Sequence, residues 1–254
     1  MLLAVDIGNT NIVFGVHDGN TWLHHWRVRT VREKMPDEYG VTFRVLLNDA
    51  GLTIEALDRI VICSVVPPLT DRLEEMLADY VAVDPLIVSH QLRTGLTFAV
   101  DNPAEVGADL IADAVAAFDR VRGPCVVVDF GTATTFTAVS QDAVFLGVAI
   151  APGVNLAASA LAGGTAQLPQ IRLALPPKAI GTNTIHAIQS GILNGYAGLV
   201  QGILTRFLRE MGAKPTVVAT GGLSQLMAPL TGAFDIVDPW LTLEGIRLIG
   251  ERNT

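Results

Sequence analysis

The sequence is poor in several kinds of residue, and each shortage excludes a class of protein. It has two cysteines, Cys63 and Cys125, both in apolar runs, which excludes a disulfide scaffold and predicts buried free thiols. Aromatic residues make up 6%, too few for a platform on which nucleic-acid bases stack. Lysine and arginine number 17 against 25 acidic residues, a net charge of −8, so we expect no nucleic-acid partner.

Long apolar runs are also missing. No stretch approaches the roughly 20 residues of a membrane span, and the first residues have neither the basic nor the apolar part of a secretion signal. We therefore expect no membrane partner and a cytoplasmic location. Apolar residues are nevertheless abundant, at 50% against 17% charged, which permits a substantial core and excludes a disordered chain.

Short apolar runs alternate with helix-like segments along the 254 residues. This alternation predicts an α/β fold with a mixed sheet in each half. Asn102 as an N-cap and Pro103 at the first helical position predict a helix over 103–120. We place the boundary between two domains, 1–118 and 119–254, near the end of that helix.

An internal repeat supports two related halves. LLAVDIGNTN at 2–11 and VVVDFGTATT at 126–135 both read as an apolar strand, an aspartate, a glycine and then threonine. The aspartates, Asp6 and Asp129, are 123 positions apart, nearly half the chain. The repeat predicts two copies of one unit that face each other across a cleft, each with a carboxylate at the end of a strand, where α/β folds bind ligands.

The turns after these aspartates are rich in phosphate-binding groups. Residues 8–11 offer hydroxyls, amides and backbone N–H groups beside the carboxylate of Asp6, which suits a phosphate cradle with an ordered metal. A plain β-turn would explain one such segment equally well. Gly131 and Thr132 repeat the pattern after Asp129, and the repetition favours phosphate binding.

A third glycine turn follows another apolar run, VVATGGLS at 217–224. Gly221 and Gly222 would let the backbone pack flat against a base or ribose, although a simple strand-to-helix turn also uses glycine. The three segments, in this order, resemble the phosphate-1, phosphate-2 and adenosine segments of the actin, hexokinase and Hsp70 superfamily. The chain has no P-loop.

Phosphorylation of an alcohol needs a carboxylate that takes the hydroxyl proton. The segment NPAEVGADLIAD offers Glu105, Asp109 and Asp113. Glu105 in the first turn serves the helix dipole, and we expect Asp113 to be solvated or paired at the surface. Gly107 inside a helix costs stability and indicates a close approach. Asp109 is the candidate base.

Ten collinear motifs resemble type III pantothenate kinases. The most specific pair is NPxEVGAD at 102–109 with DxGTATT at 129–135. The others are DIGNTN at 6–11, DEYG at 37–40, SVVP at 64–67, APG at 151–153, TAQLP at 165–169, QSGI at 189–192, TGG at 220–222 and DPWLTLEGI at 238–246.

The resemblance implies a homodimer, with two duplicated ribonuclease-H-like domains of the actin-like ATPase type in each chain. It implies transfer of the γ-phosphate of ATP to pantothenate, giving 4'-phosphopantothenate, the first step towards coenzyme A. By position Asp109 matches the proton acceptor, Asp129 the ligand of a monovalent cation (potassium or ammonium), and Asp6 lies near magnesium. The residues expected at ATP and its phosphates are Asp6, Ile7, Gly8, Asn9, Thr10, Asn11, Ile12, Val13, Gly131, Thr132, Gly221 and Gly222. Those expected at pantothenate are Val100, Gly107, Ala108, Asp109, Leu110 and Thr184.

Three positions depart from the family pattern. Leu110 and Gly164 stand where the family has arginine, and Val100 stands where it has an aromatic residue. Arginine suits the carboxylate of pantothenate, and its loss costs about 1.5–3 kcal/mol, or about 10- to 150-fold in binding. Two alternatives stay open: a kinase for another small hydroxy compound, and a non-catalytic nucleotide-binding regulatory paralogue. Other cations available are Arg29, Arg32, Lys34 and Lys178.

Overall fold

A computed structural model describes residues 1–253. Their strands are β1 (Leu2–Ile7), β2 (Asn11–His17), β3 (Trp22–Arg29), β4 (Arg59–Ser64), β5 (Leu86–Ile87), β6 (Thr97–Phe98), β7 (Cys125–Phe130), β8 (Ala133–Val139), β9 (Val144–Pro152), β10 (Thr216–Thr220) and β11 (Ile236–Val237). The helices are α1 (Pro36–Asp49), α2 (Pro67–Val81), α3 (Ala108–Val121), α4 (Val154–Gly163), α5 (Thr184–Met211), α6 (Ser224–Thr231) and α7 (Leu241–Arg252). Of these helices, none combines the length and the apolar character that a membrane crossing requires.

The chain forms two compact units. The first contains residues 1–96, 101–116 and the segment from 242 onward, and the second contains 97–100 and 117–241. The break falls inside α3, close to the predicted boundary between 118 and 119. The two divisions differ in two places. Residues 97–100 belong to the second unit, and α7 packs with the first unit and not with the residues that precede it.

The first unit is built on a five-stranded mixed sheet with the order β3-β2-β1-β4-β5. β1 runs antiparallel to β2 and parallel to β4. Because side chains alternate along a strand, Val5 and Ile7 of β1 enter a core that also contains Phe43 of α1 and Leu73 of α2. Asp6, between them, is directed to the opposite face of the sheet.

The second unit repeats this plan around a six-stranded sheet with the order β11-β10-β7-β8-β9-β6. β7 runs antiparallel to β8 and parallel to β10. Val128 and Phe130 of β7 pack into a core with Leu193 and Val200 of α5. The predicted α/β class with a mixed sheet in each half is confirmed.

The helix predicted over 103–120 is wrong at its start. Residues Pro103–Glu105 form a separate 3-10 turn, and the side chain of Asn102 caps it by accepting a hydrogen bond from Ala104 N at 3.2 Å. Val106 then has extended backbone (φ −72°, ψ 123°), which breaks the helical path. α3 therefore begins at Ala108, so Gly107 lies before the helix and Asp109 lies in its first turn.

The return of α7 to the first unit depends on a glycine. A Cβ placed on Gly245 would lie 1.9 Å from the carbonyl oxygen of Ala112, in the middle of α3. Gly250 similarly lies against Val61 of β4. Only a residue without a side chain allows α7 and α3 to pack this closely.

Substitution of Gly245 by alanine is expected to destabilise the protein by about 1–3 kcal/mol, because the added methyl group overlaps the α3 backbone. Gly198 of α5 provides the matched control, since a Cβ there meets no atom within 4 Å. Gly198→Ala should instead stabilise by up to about 1 kcal/mol through helix propensity. Urea unfolding of both variants checks this, and equal effects would contradict the packing described.

Candidate active site

The turn of residues 8–11, the first of the two predicted phosphate-binding turns, joins β1 to β2 and is held by hydrogen bonds. Gly8 N donates to Asn11 O at 3.0 Å and closes the turn. Thr30, just after β3, donates its hydroxyl to Gly8 O at 2.7 Å and its N–H to Thr10 O at 3.0 Å. These bonds fix the turn from one side, while Asn9 and Thr10 remain exposed to solvent.

Three carboxylates lie around the end of β4. Asp6 pairs in register with Cys63, which is completely buried. Burial raises the pKa of the Cys63 thiol well above its usual range, and the negative charges of Asp6, Asp109 and Asp113 raise it further. The thiol therefore stays protonated, and the carboxylates of β1 and α3 act on the same small region of the first unit.

Asp109 is the candidate base, and its surroundings suit that role. Burial raises the pKa of its carboxyl group, while a hydrogen bond from its neighbour Leu110 N to Oδ1, at 2.8 Å, acts in the opposite direction. A Cβ on Gly107 would lie 2.6 Å from Asp109 Oδ1 and 3.7 Å from Val65 Cγ1. Gly107 thus leaves room for the carboxylate beside the segment that follows β4.

Asp113 corrects one prediction made from the sequence. We expected a solvated or surface-paired side chain, but Asp113 is only 1% exposed. Thr242 Oγ1 donates to its Oδ1 at 2.7 Å. The prediction was wrong because α7, 129 residues away along the chain, covers this side of α3.

The second unit places another carboxylate among glycines. Asp129 lies near the end of β7, and a Cβ on Gly131 would lie 3.0 Å from its Oδ2. Gly221 has a φ of +85°, and a Cβ there would lie 2.2 Å from Asp129 Oδ1. The absence of a side chain at Gly221 therefore leaves room for the Asp129 carboxylate. Ser224 Oγ donates a hydrogen bond to the carbonyl oxygen of Gly221 at 2.8 Å and fixes the backbone there.

A buried hydroxyl beside Asp129 has no hydrogen-bond partner in the structure. Thr220 pairs in register with Asp129 across β10 and β7, is 0% exposed, and its Oγ1 is unsatisfied. Burial of an unpaired hydroxyl costs about 1–3 kcal/mol. A carboxylate and a hydroxyl together form an oxygen donor set, which suits a hard cation. No group of three or more His, Cys, Asp or Glu side chains within residues 1–253 has the arrangement of a metal site.

Sequence reasoning missed Gly153, a residue that packs against the turn after β7. Gly153 N donates to Thr132 O at 3.1 Å, and a Cβ on Gly153 would lie 2.2 Å from that oxygen. The signal was present in the APG motif, whose glycine directly follows β9. Its packing against Gly131 and Thr132 could not be inferred without the pairing of β8 with β9.

The residues expected at the acceptor are divided between the two units. Gly107, Ala108, Asp109 and Leu110 belong to the first, where Leu110 is buried at 8% exposure. Val100 and Thr184 belong to the second. Thr184 is exposed at the start of α5 and borders a groove of about 600 Å³. The groove is otherwise lined mainly by small and aliphatic residues, including Leu161, Leu168, Ile188 and Ile192.

The fold and its two carboxylate-bearing turns define a class, the actin-like ATPase fold. Component A of (R)-2-hydroxyglutaryl-CoA dehydratase from Acidaminococcus fermentans superposes with a TM-score of 0.56, over 98% of this chain and 95% of that chain, at 15% identity. The ROK hexokinase of Thermus thermophilus gives a TM-score of 0.50, over 98% and 97%, also at 15% identity.

Sequence comparison then identifies the family. The profile of the type III pantothenate kinases matches residues 2–206. A type III pantothenate kinase of Moorella thermoacetica is 48% identical over 100% of both chains. Another, from Roseiflexus castenholzii, is 49% identical over 100% of this chain and 99% of its own. The chain belongs to the type III pantothenate kinase family.

The raised pKa of Asp109 predicts a stability effect with a definite sign. A carboxyl group whose pKa is higher in the folded state stabilises the fold at low pH, and this stability is lost as pH rises through the folded pKa. At pH 7 the Asp109→Asn protein should therefore melt at the same temperature as the wild type or higher.

Thermal melts between pH 3 and pH 8 check this prediction. The advantage of Asp109→Asn should shrink as the pH approaches about 4, where the unfolded carboxyl also binds a proton. Asp71→Asn, at an exposed position on α2, serves as the control and should show no such trend. Lower stability of Asp109→Asn at pH 7 would contradict the description of Asp109 as a partly buried carboxylate whose ionised form destabilises the fold.

Proposed function

We propose that this protein transfers the γ-phosphate of ATP to the terminal hydroxyl of pantothenate, the first step of coenzyme A synthesis. The observation that carries the proposal is Asp109, a partly buried carboxylate with a raised pKa beside the end of β4, on the face of the sheet that also bears Asp6. Membership of the family over the full chain supports the same reaction.

In this proposal Asp109 is the general base. Its carboxylate accepts the proton of the attacking hydroxyl as the oxygen approaches the γ-phosphate. A raised pKa makes the carboxylate a stronger acceptor, provided that the pH keeps it ionised. The hydrogen bond from Leu110 N holds Oδ1 in place and leaves the other oxygen to receive the proton.

The turns after β1 and β7 would hold the phosphates through backbone N–H groups and hydroxyls. Asp6 is the residue we assign to magnesium, and Asp129 with Thr220 those we assign to a monovalent cation. When bound, these ions would neutralise charge on the phosphate oxygens during transfer. The unsatisfied hydroxyl of Thr220 supports the second assignment.

We expect the acceptor side to contact pantothenate through the apolar part of that molecule. The terminal hydroxyl of pantothenate is next to a carbon with two methyl groups, and Leu110 is an apolar side chain directly after the base. Leu110 has no donor for the carboxylate at the other end of the molecule. We therefore expect this enzyme to depend less on that carboxylate than a kinase with arginine at the same position.

A second copy of the chain is the partner we propose for the exposed strand β9. Leu146, Val148 and Ile150 are 39%, 40% and 66% exposed and alternate along one face of this strand. Monomeric proteins rarely leave such a row of large apolar side chains in water. Sedimentation equilibrium should give a dimer, and Ile150→Asp should shift it towards monomer. A wild-type protein that is monomeric at micromolar concentration would contradict the proposal.

We also place the enzyme in the cytoplasm, where ATP is available and where Cys63 and Cys125, both buried free thiols, remain reduced. Fractionation of the source cells should recover it with the cytosolic enzymes. Recovery in a secreted or membrane fraction would contradict this location.

A coupled assay of ADP release tests the reaction. Wild-type protein with ATP, magnesium and potassium should release ADP only when pantothenate is added. Asp109→Asn should lose turnover by at least about 100-fold, since general-base catalysis contributes about 10²–10⁴, and its ATP affinity should stay within a few-fold of the wild type. Retained turnover in Asp109→Asn would remove the base assignment.

The same assay with the alcohol analogue of pantothenate, in which CH2OH replaces the carboxylate, tests the role of Leu110. We expect the two acceptors to differ in kcat/KM by less than about tenfold, because no charge-assisted hydrogen bond is lost. A difference above about 100-fold would mean that a cation elsewhere binds the carboxylate. No ADP release with either acceptor, despite ATP binding, would favour another acceptor or a non-catalytic paralogue.

A further inference from the structure

The phosphate turn of the first unit lacks a positive charge of its own. Its sequence from Asp6 to Val13, DIGNTNIV, contains one carboxylate and no lysine or arginine. Phosphoryl transfer nevertheless requires positive charge near the nucleotide phosphates. The strand and loop that follow, 27–34, contain four basic residues, Arg27, Arg29, Arg32 and Lys34.

Arg32 is bonded directly to the turn. Its Nη2 donates to Asn9 Oδ1 at 3.0 Å, and both side chains are exposed. The backbone two residues earlier is fastened to the same turn, because Thr30 bonds to the carbonyl groups of Gly8 and Thr10. The guanidinium is thus held beside the exposed end of the turn, and its remaining N–H groups can donate to a ligand.

Arg29 lies at the other end of the turn, opposite Asn11 in the register of β2 and β3. Trp26 and Val28 of β3 pack against the core, so Arg29 is directed to the opposite face of the sheet. Asp6 of β1 is directed to that face for the same reason, since Val5 and Ile7 are in the core. Asp6 and Arg29 therefore share a face, two strands apart and two residues out of register, or about 12 Å between their backbones.

Neither arginine is neutralised by the protein. Within residues 1–253, no ion pair joins Arg29 or Arg32 to a carboxylate, although the chain has 25 acidic residues. Lys34, by contrast, lies over the ring of Tyr39 at 5.1 Å from its centroid. Two exposed guanidinium groups without a carboxylate partner therefore lie at the two ends of one turn, where their N–H groups are available to an anion.

We propose that Arg29 and Arg32 bind the β- and γ-phosphates of the nucleotide at the turn 8–11. The inference rests on the proposed function only in taking this turn as the phosphate-binding one. Phosphate is favoured over the acceptor carboxylate because Arg32 contacts Asn9, in the turn itself. The planar donor fork of arginine matches phosphate oxygens.

Calorimetric titration with ATP, ADP and AMP, each with magnesium, tests whether Arg29 and Arg32 bind the β- and γ-phosphates. Arg29→Gln and Arg32→Gln should each weaken ATP binding by about tenfold or more, the value of one charge-assisted hydrogen bond. AMP, which lacks both phosphates, should bind the variants as it binds the wild type. Arg72→Gln, an exposed arginine on α2 of the same unit, is the matched control and should change neither affinity.

The conservative variants add a second readout. Arg29→Lys and Arg32→Lys keep the charge but lose the fork, so they should recover part of the ATP affinity and its dependence on salt. Unchanged ATP affinity in the double Gln variant would overturn the proposal. So would an equal loss for AMP and ATP, because it would indicate damage to the turn and not loss of phosphate contacts.

These titrations contain no acceptor, so their outcome is independent of the acceptor assignment. Selective loss of ATP binding in a protein that does not phosphorylate pantothenate would leave the arginine pair standing and remove the proposed reaction. Full turnover with pantothenate and an unchanged KM for ATP in the double Gln variant would support the proposed reaction and remove the assignment of Arg29 and Arg32 to the phosphates.

Discussion

The close approach of a glycine to a carboxylate is a constraint that both units of the fold share. In the first unit, Gly107 leaves room for Asp109, where a Cβ would lie 2.6 Å from the carboxylate oxygen. In the second, Gly131 and Gly221 do the same for Asp129, at 3.0 Å and 2.2 Å. For Asp109, burial removes hydration and raises the pKa of the carboxyl group. Glycines thus leave room for both aspartates, to which our proposal gives different roles: Asp109 is the base and Asp129 is a cation ligand.

The groups that surround Asp109 and Asp129 differ, and this difference explains how two aspartates beside glycines can have the two roles that we propose. Asp109 is left with a hydrogen bond from its own neighbour, Leu110, and its pKa is raised. This suits a group that must take up a proton. Asp129 has beside it Thr220, whose buried hydroxyl is unsatisfied. A carboxylate with an additional oxygen donor suits a cation. In our proposal the base, Asp109, and the cation ligand, Asp129, are distinguished by the groups that surround them and not by the strand-turn pattern.

Local features of the site were predictable from the sequence. The turns after Asp6 and Asp129 follow from apolar strands that end in Asp-x-Gly, because strand, turn and next strand are contiguous in the chain. The α/β class was predictable from the alternation of short apolar runs with helix-like segments. The start of α3 was not predictable, since Asn102 and Pro103 are good helix-start residues and it is the extended backbone of Val106 that defers the helix to Ala108.

Features that depend on distant segments could not be predicted. Burial of Asp113 requires Thr242, and the packing of α7 requires Gly245 to meet Ala112 across more than 100 residues. The contact of Arg32 with Asn9 depends on the register of β2 and β3, which fixes where the chain passes the turn again. Each is a long-range contact, and residue type alone identifies neither partner.

The central claim is that a partly buried Asp109 with a raised pKa is the group whose ionisation controls phosphoryl transfer. The most direct test is the pKa of this carboxyl group, measured by carbon-detected NMR of aspartate-labelled wild type and Asp109→Asn. It should lie above the usual value of about 3.9 and coincide with the acid limb of kcat/KM. A pKa at or below about 3.9, or an acid limb at a clearly different pH, would contradict the account.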